Sequence, residues 1–201
     1  MSGAAPTTRL ERAAPIVALL GWFVVMVFVA ASLLARHLIP LPSPTRDQSA
    51  SALAAARAEE AKGRWTTFHV LLGSCRCSRL IGQHLLTSAR PPGIVEHVLL
   101  VGADPGLRAG LLARGFRVID VEPEALSQRF HIESAPLFVV LGPEGTPRYL
   151  GGYTARKQGA DVRDLAIFAA LQRAEVPSSL PLFGCAVSKR LLAAIDPLSL
   201  R

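Results

Sequence analysis

The stretch TTFHVLLGSCRCSRLIGQHLLTSA, residues 66–89, holds two of the three cysteines of this 201-residue chain. Its first eight residues are a short apolar run that is typical of a buried strand. Residues 78–89 follow a helical pattern that ends before a pair of prolines. Cys75 and Cys77 therefore stand at the predicted start of a helix. Because the free N–H groups of a helix start stabilise a thiolate, we expect reactive thiols here.

Strand and helix patterns alternate from this stretch to residue 173. The predicted strands cover residues 66–73, 95–102, 116–121, 135–142 and 146–154, and the predicted helices cover residues 78–89, 105–115, 123–130 and 161–173. The last two strands flank the turn Pro143-Glu144-Gly145, which predicts a hairpin. This order indicates an α/β fold, in which a mainly parallel sheet is closed by an antiparallel hairpin and covered by helices on both faces.

The order of elements and three short motifs resemble the thioredoxin superfamily. The motifs are Cys75 and Cys77 at a helix start, Ser134-Ala135-Pro136 before LFVVLG, and the Gly151-Gly152 pair that closes the hairpin. The resemblance covers residues 66–173. It implies a thioredoxin-like domain over residues 65–175, with a mixed sheet flanked by helices. In place of the usual Trp-Cys-x-x-Cys of that family, this chain has a CxC motif preceded by Ser74.

The resemblance implies roles for four of these residues. Cys75 and Cys77 are the expected catalytic thiols of a thiol-disulfide oxidoreductase or isomerase, in which Cys75 attacks a partner's disulfide and Cys77 resolves the mixed disulfide. The sequence does not decide which of the two attacks. Pro136 is expected to be cis and to face the cysteines. The backbone of Ala135 is expected to bind an extended substrate segment by strand addition.

The third cysteine, Cys185, lies in a C-terminal extension, residues 176–201, near the start of a predicted final helix. Three interpretations stay open for it: a buried inert thiol, a third redox thiol, or a metal ligand. In the last case Cys75, Cys77 and Cys185 form a soft Cu(I) site, with His131 as a further candidate ligand. The protein is then a copper chaperone for the assembly of a metalloprotein. On the oxidoreductase interpretation, neither a cofactor nor a metal is expected.

The amino-terminal part contains a run of twenty uncharged residues, IVALLGWFVVMVFVAASLLA, residues 16–35. At helical rise this length spans about 30 Å of hydrocarbon, which predicts a single transmembrane anchor after a short cytoplasmic tail, residues 1–15. A cleaved signal peptide is the alternative, because small residues lie near the end of the run. Residues 36–64 are rich in Pro and Ala and are predicted to form a linker. The alternative is that they contribute the first helix of the domain.

The charge of the chain limits the choice of partners. It carries 22 Lys and Arg against 15 Asp and Glu, a formal net charge of +7. The arginines are dispersed without interleaved aromatic residues, so nucleic acid is not an expected partner. The sequence contains no c-type haem CxxCH motif, Gly-rich phosphate loop or zincin motif.

The cysteines and the anchor together predict a location. Because disulfides persist outside the cytoplasm, we expect a single-pass protein of the inner membrane whose C-terminal domain faces the periplasm. In this arrangement the chain resembles tethered periplasmic thioredoxins. The expected partners are exported proteins with thiols or disulfides, membrane lipid around the anchor, and an electron donor in the membrane.

Overall fold

The computed structural model describes residues 9–38, 40–157 and 159–195, and the chain divides into two compact units, Met1–Ile39 and Pro40–Arg201. In its described part the first unit is one helix, α1 (Arg9–Leu38). Its window Pro15–Ser32 has a mean hydropathy of 2.3. α1 is therefore long and apolar enough to cross a membrane, and a signal sequence has the same properties. Residues 1–8 of the predicted tail lie outside the described residues.

A five-stranded mixed sheet forms the centre of the second unit. Its strands are β1 (Thr66–Leu72), β2 (Val95–Val101), β3 (Arg117–Val121), β5 (Leu137–Leu141) and β6 (Pro147–Gly151), in the order β3-β2-β1-β5-β6. β1, β2 and β3 are parallel, whereas β5 is antiparallel to both of its neighbours. Two further strands of two residues each, β4 (Ser134–Ala135) and β7 (Cys185–Ala186), form a separate antiparallel pair.

Helices cover both faces of this sheet. α2 (Arg46–Ala55) and α5 (Pro123–Phe130) pack on one face, and α3 (Arg76–Thr87), α4 (Pro105–Ala113) and α6 (Asp164–Gln172) pack on the other. A short 3-10 helix, Glu59–Ala61, precedes β1, and α7 (Lys189–Ile195) follows β7. Because successive side chains of a strand point to opposite faces, Val70 packs with the first set of helices and Leu71 with the second. The predicted fold class, an α/β fold with a mixed sheet flanked by helices on both faces, is confirmed.

The predicted linker, residues 36–64, is corrected from Pro40 onward. α2 packs against the domain, and its Ser49, Ala50 and Leu53 are buried. The Ser49 hydroxyl also donates a hydrogen bond to the carbonyl oxygen of His131, at 3.2 Å. Since α2 buries only one large apolar side chain, its amphipathic pattern is weak in the sequence. The alternative interpretation, a first helix of the domain, describes this segment.

The C-terminal extension packs on the same domain as far as it is described. Leu182 is buried in the core, and its carbonyl oxygen accepts a hydrogen bond from the backbone N–H of Leu41 at 2.8 Å. The backbone N–H of Gly152 donates to the carbonyl oxygen of Leu180 at 2.9 Å. These contacts lead the chain to β7, beside β4. Residues 196–201 of the predicted extension lie outside the described residues.

Candidate functional site

The turn between β1 and α3 sets the position of Cys75. The backbone N–H of Cys75 donates to the carbonyl oxygen of Leu72 at 2.9 Å, and the backbone N–H of Leu72 donates to the hydroxyl of Ser78 at 3.0 Å. These bonds close the turn, so that Cys75 is the residue directly before α3. Its side chain therefore starts at the helix N-terminus, where the first N–H groups lack partners within the helix. This placement is the one that the sequence predicts.

Cys75 forms a disulfide with Cys185, which lies 110 residues away in the sequence and 6.3 Å away between Cα atoms. The predicted pairing of Cys75 with Cys77 is therefore corrected. All three cysteines belong to the described part of the chain, and among them Cys77 alone is a free thiol, half-buried in the first turn of α3. The disulfide also removes support for the interpretation of Cys185 as an inert thiol.

The peptide bond between Ala135 and Pro136 is cis, as predicted. β4 ends at this bond and pairs with β7, so that Ala135 lies opposite Cys185. The backbone N–H of Val187 adds a hydrogen bond to the carbonyl oxygen of Glu133 at 2.7 Å. The backbone of Ala135, which the sequence predicts to bind a substrate strand, is thus paired with the chain's own C-terminal segment.

Gly184 permits this close approach of two backbone segments. A Cβ at position 184 would overlap the carbonyl oxygen of Ala135 and would lie 2.6 Å from Cδ of Pro136. A glycine before Cys185 therefore lets β4 and β7 pair without displacing either backbone. This pairing is the physical reason for the corrected disulfide, because it brings Cys185 to the end of the sheet where Cys75 lies.

Cys77 lines a small cavity that it shares with the cis proline. The cavity has a volume of about 40 Å³, and its lining includes Cys77, Pro136, Phe183 and Tyr153. Pro136 and Cys77 therefore face the same cavity. Tyr153 connects this cavity with a set of polar side chains in the interior.

A chain of hydrogen-bonded polar side chains runs through the domain behind Tyr153. We call it the polar network, and its six members are Tyr153, His69, Glu96, Arg90, Asp164 and His84. The Tyr153 hydroxyl lies 2.9 Å from Nδ1 of His69, and Nε2 of His69 lies 3.3 Å from Oε1 of Glu96. The guanidinium of Arg90 donates to Glu96 at 2.5 Å and to Asp164 at 2.8 Å. Nε2 of His84 donates to Asp164 at 2.8 Å.

The polar network holds its charges in a largely buried setting. Burial alone would raise the pKa of Glu96, but hydrogen bonds from His69 and Arg90 outweigh burial and lower this pKa to about 2. Burial would lower the pKa of Arg90, yet its bond to Glu96 and the charges of Glu96 and Asp164 raise it. Burial also raises the pKa of Tyr153. At neutral pH the network therefore contains an ionised Glu96, a charged Arg90 and a neutral Tyr153.

The polar network was not predicted from the sequence. The available signal was the presence of His69 and Glu96 within runs that otherwise indicate buried apolar strands. His97, the neighbour of Glu96 on β2, is a second buried histidine, and its ring stacks on Phe68 with centroids 4.7 Å apart. Burial lowers the pKa of His97 to about 4, and the positive charge of Arg57 contributes in the same direction.

The copper interpretation finds no support in the geometry. Among the described residues, no group of three or more His, Cys, Asp or Glu side chains is placed to hold a metal ion. Cys75 and Cys185, two of the three proposed sulfur ligands, are joined in the disulfide. His131, the further candidate, is exposed directly after α5 in a left-handed conformation with φ 55°.

Comparison with solved structures finds similarity at the level of the fold. A hypothetical protein from Sinorhizobium meliloti 1021 shares 19% identity with a TM-score of 0.53, over 64% of this chain and 81% of its own. An uncharacterized conserved protein from Geobacillus kaustophilus shares 16% identity with a TM-score of 0.54, over 76% of this chain and 91% of its own. At these identities the similarity shows the fold alone.

A third similar structure is a secreted Mycobacterium tuberculosis disulfide oxidoreductase, homologous to DsbE of E. coli. It shares 15% identity with a TM-score of 0.35, over 44% of this chain and 69% of its own. At that TM-score we draw no conclusion from it. No family model matches the chain, and no curated protein matches it.

Proposed function

We propose that this protein is a membrane-tethered thiol-disulfide oxidoreductase or isomerase that acts on exported proteins through Cys75. One observation carries the proposal: Cys75 stands at the N-terminus of α3 on a thioredoxin-like fold, in a disulfide with the distant Cys185. A helix N-terminus stabilises a thiolate, which is both the attacking and the leaving form of sulfur in disulfide exchange. The cis Pro136 and the free thiol of Cys77 lie at the same site.

The chemistry of the site is a transfer of two electrons. The disulfide between Cys75 and Cys185 accepts two electrons from two thiols of a partner. The partner leaves with a disulfide in place of those thiols, and Cys75 and Cys185 become thiols. The two protons of the partner's thiols pass through the solvent to the new thiols of Cys75 and Cys185. The reverse reaction reduces a partner, and a sequence of both steps on one partner isomerises its disulfides.

Cys77 gives the site a second oxidised form. Its thiolate can attack the sulfur of Cys75, forming a bond between Cys75 and Cys77 and releasing Cys185 as a thiolate, with no net oxidation. Since Cys75 belongs to both disulfides, we assign it the central role.

The proposed location rests on α1 and on the disulfide. α1 has the length and hydropathy of an anchor, and a disulfide of this kind persists in an oxidising compartment. We therefore place the domain in the periplasm, tethered to the inner membrane. Its substrates there are exported proteins with thiols or disulfides, and an electron donor in the membrane returns it to its working redox state.

An exchange assay on the full-length protein in detergent tests the proposed activity. The protein is mixed with reduced, unfolded ribonuclease A and with oxidised glutathione as the terminal oxidant, and the recovery of the correctly bonded enzyme is followed over time. We expect Cys75→Ser to reduce catalysis to background, whereas the matched variant Ser74→Ala, which changes an exposed neighbour, leaves it intact. A Cys75→Ser protein that remained fully active would refute the proposal.

A protease experiment on intact spheroplasts tests the proposed orientation. Protease added from outside is expected to digest the domain that follows α1. A domain that is cut only after the spheroplasts are lysed would contradict the periplasmic location.

A further inference from the structure

We infer that a partner's thiolate attacks Cys185, so that the mixed disulfide forms on Cys185 and Cys75 is the thiolate that leaves. The resemblance seen in the sequence implies a different role for Cys75, as the residue that joins the partner. The inference rests on the proposed function, and it names the entry point of the site. Three features of the structure support it: access to the two sulfurs, stabilisation of the departing charge, and the anchoring of the segment that carries Cys185.

Access favours attack on Cys185. Cys75 is only 2% exposed, and it is bonded to Cys185 of β7. Cys185 is half-buried, as are its neighbours Gly184 and Ala186. The rate of disulfide exchange depends on which sulfur a thiolate can reach. A protein partner therefore meets Cys185 before it meets Cys75.

Stabilisation of charge favours the departure of Cys75. When the disulfide breaks, the sulfur that is not attacked leaves with the electron pair, and the sulfur that better stabilises negative charge leaves faster. Cys75 directly precedes α3, a helix of 12 residues, and the exposed Arg76 and Arg79 lie in its first turn. Cys185 lies on a strand, and the next helix begins only at Lys189. The helix N-terminus therefore stabilises a thiolate on Cys75 more than one on Cys185.

The segment around Cys185 is anchored on both sides. Before β7, Leu182 is buried and bonded to the backbone of Leu41. After β7, the Ser188 hydroxyl donates to Oε1 of Glu133 at 2.8 Å, and Arg190 donates to the same carboxylate at 2.9 and 2.5 Å. These contacts do not depend on the disulfide. They keep Cys185 opposite Ala135 after exchange, next to the released thiolate of Cys75.

These positions decide which bonds form and break in the reaction. The partner's thiolate forms a bond to the sulfur of Cys185, the bond from Cys185 to Cys75 breaks, and Cys75 receives the electron pair. A second thiolate of the partner then attacks the partner's own sulfur in the mixed disulfide and releases Cys185. If no second thiol is present, Cys75 attacks Cys185 and returns the partner unchanged. The first step needs an accessible thiol on the partner and no extended substrate strand, because β7 already pairs with the backbone at Ala135.

Reduced glutathione is a suitable probe for the site of attack. Oxidised full-length Cys77→Ser protein in detergent is mixed with excess glutathione and quenched within the first turnover by N-ethylmaleimide at mildly acidic pH. Digestion and mass spectrometry then locate glutathione and maleimide in the singly glutathionylated protein. We expect glutathione on Cys185 and maleimide on Cys75, in at least about tenfold excess over the opposite arrangement.

Each outcome of this experiment is decisive. Glutathione found mainly on Cys75, or equally on both cysteines, overturns the inference and leaves the proposed oxidoreductase function intact. A disulfide that does not exchange with glutathione at all overturns both. The wild-type protein is measured in parallel, and its adduct is expected at Cys185 as well, since Cys77 is not part of the disulfide that is attacked.

Discussion

Two regions of the domain contain the chemically distinctive residues, and they are held together in different ways. The sulfur site consists of Cys75, Cys77, Pro136 and Cys185. One covalent bond joins Cys75 to Cys185, the two members that are farthest apart in the sequence. The polar network lies in the interior and is held by hydrogen bonds and ion pairs between side chains. The first region should therefore respond to a reductant and the second to pH. We infer that the sulfur site serves the reaction and that the network mainly stabilises the fold around it.

The largest expected effect on stability comes from breaking the polar network. Arg90→Met leaves the buried carboxylates of Glu96 and Asp164 without their shared cation, and such a loss costs about 3–5 kcal/mol. The free energy of unfolding of the full-length protein in detergent, measured with urea, checks this value. The disulfide should still form, because the sulfur site makes no use of Arg90.

Arg108→Met is the matched control for that variant. Arg108 pairs with Asp120, but the two side chains are 45% and 56% exposed, so the loss of the pair should cost at most about 1 kcal/mol. If both variants were destabilised equally, the network would not have the structural role that we assign to it.

Loss of the disulfide should have the next largest effect. It joins residues 110 positions apart in the sequence, and removal of a native disulfide costs roughly 2–5 kcal/mol. Cys185→Ser should lower the free energy of unfolding by an amount of this order, whereas Cys77→Ser should change it by less than about 0.5 kcal/mol. An equal loss in both variants would argue that Cys77 takes part in the stabilising bond.

The pH dependence of stability should report on the interior and not on the sulfurs. His97 has a pKa of about 4 in the folded protein, below its ordinary value of 6.5, so the unfolded chain binds a proton in this window and the folded chain does not. Stability should therefore fall as pH decreases from 6.5 to 4, by about 3 kcal/mol. Glu96, with a pKa of about 2, should add a further fall below pH 4.5.

A variant separates these two contributions to the pH dependence. His97→Phe should remove the fall between pH 6.5 and pH 4 and should keep the fall below pH 4.5, because Phe can stack on Phe68 but cannot titrate. The measurement is urea unfolding at several pH values. An unchanged pH profile in this variant would contradict the assignment to His97.

The smallest expected effect comes from the glycine that brings the two backbone segments together. Gly184→Ala places a Cβ against Ala135 and Pro136 and should cost about 1–3 kcal/mol, with some Cys75 shifted into a bond with Cys77. Gly106→Ala is the control, since its Cβ would have only one neighbour within 4 Å, at 3.8 Å. Urea unfolding and the fraction of each disulfide check both effects. A shift of the disulfide in the control as well would remove the special role of Gly184.

The difference between the two regions also explains what the sequence could predict. The fold follows from long periodic runs, and the position of Cys75 at a helix start follows from the strand and helix on either side of it. Its partner could not be predicted in the same way, because β4 and β7 have two residues each and carry no periodic pattern. The polar network joins residues from β1, β2, α3, α6 and two loops, and each of them appears in the sequence only as a single polar position.

The disulfide connectivity of the full-length protein tests the central claim most directly. Protein purified with its free thiols blocked is digested with trypsin without reduction, and cleavage after Arg76 separates Cys75, in residues 65–76, from Cys77. Cys185 lies in residues 174–189. We predict that residues 65–76 are linked to residues 174–189 and that Cys77 carries the blocking group. A bond between Cys75 and Cys77 as the main form, with the blocking group on Cys185, would contradict the account.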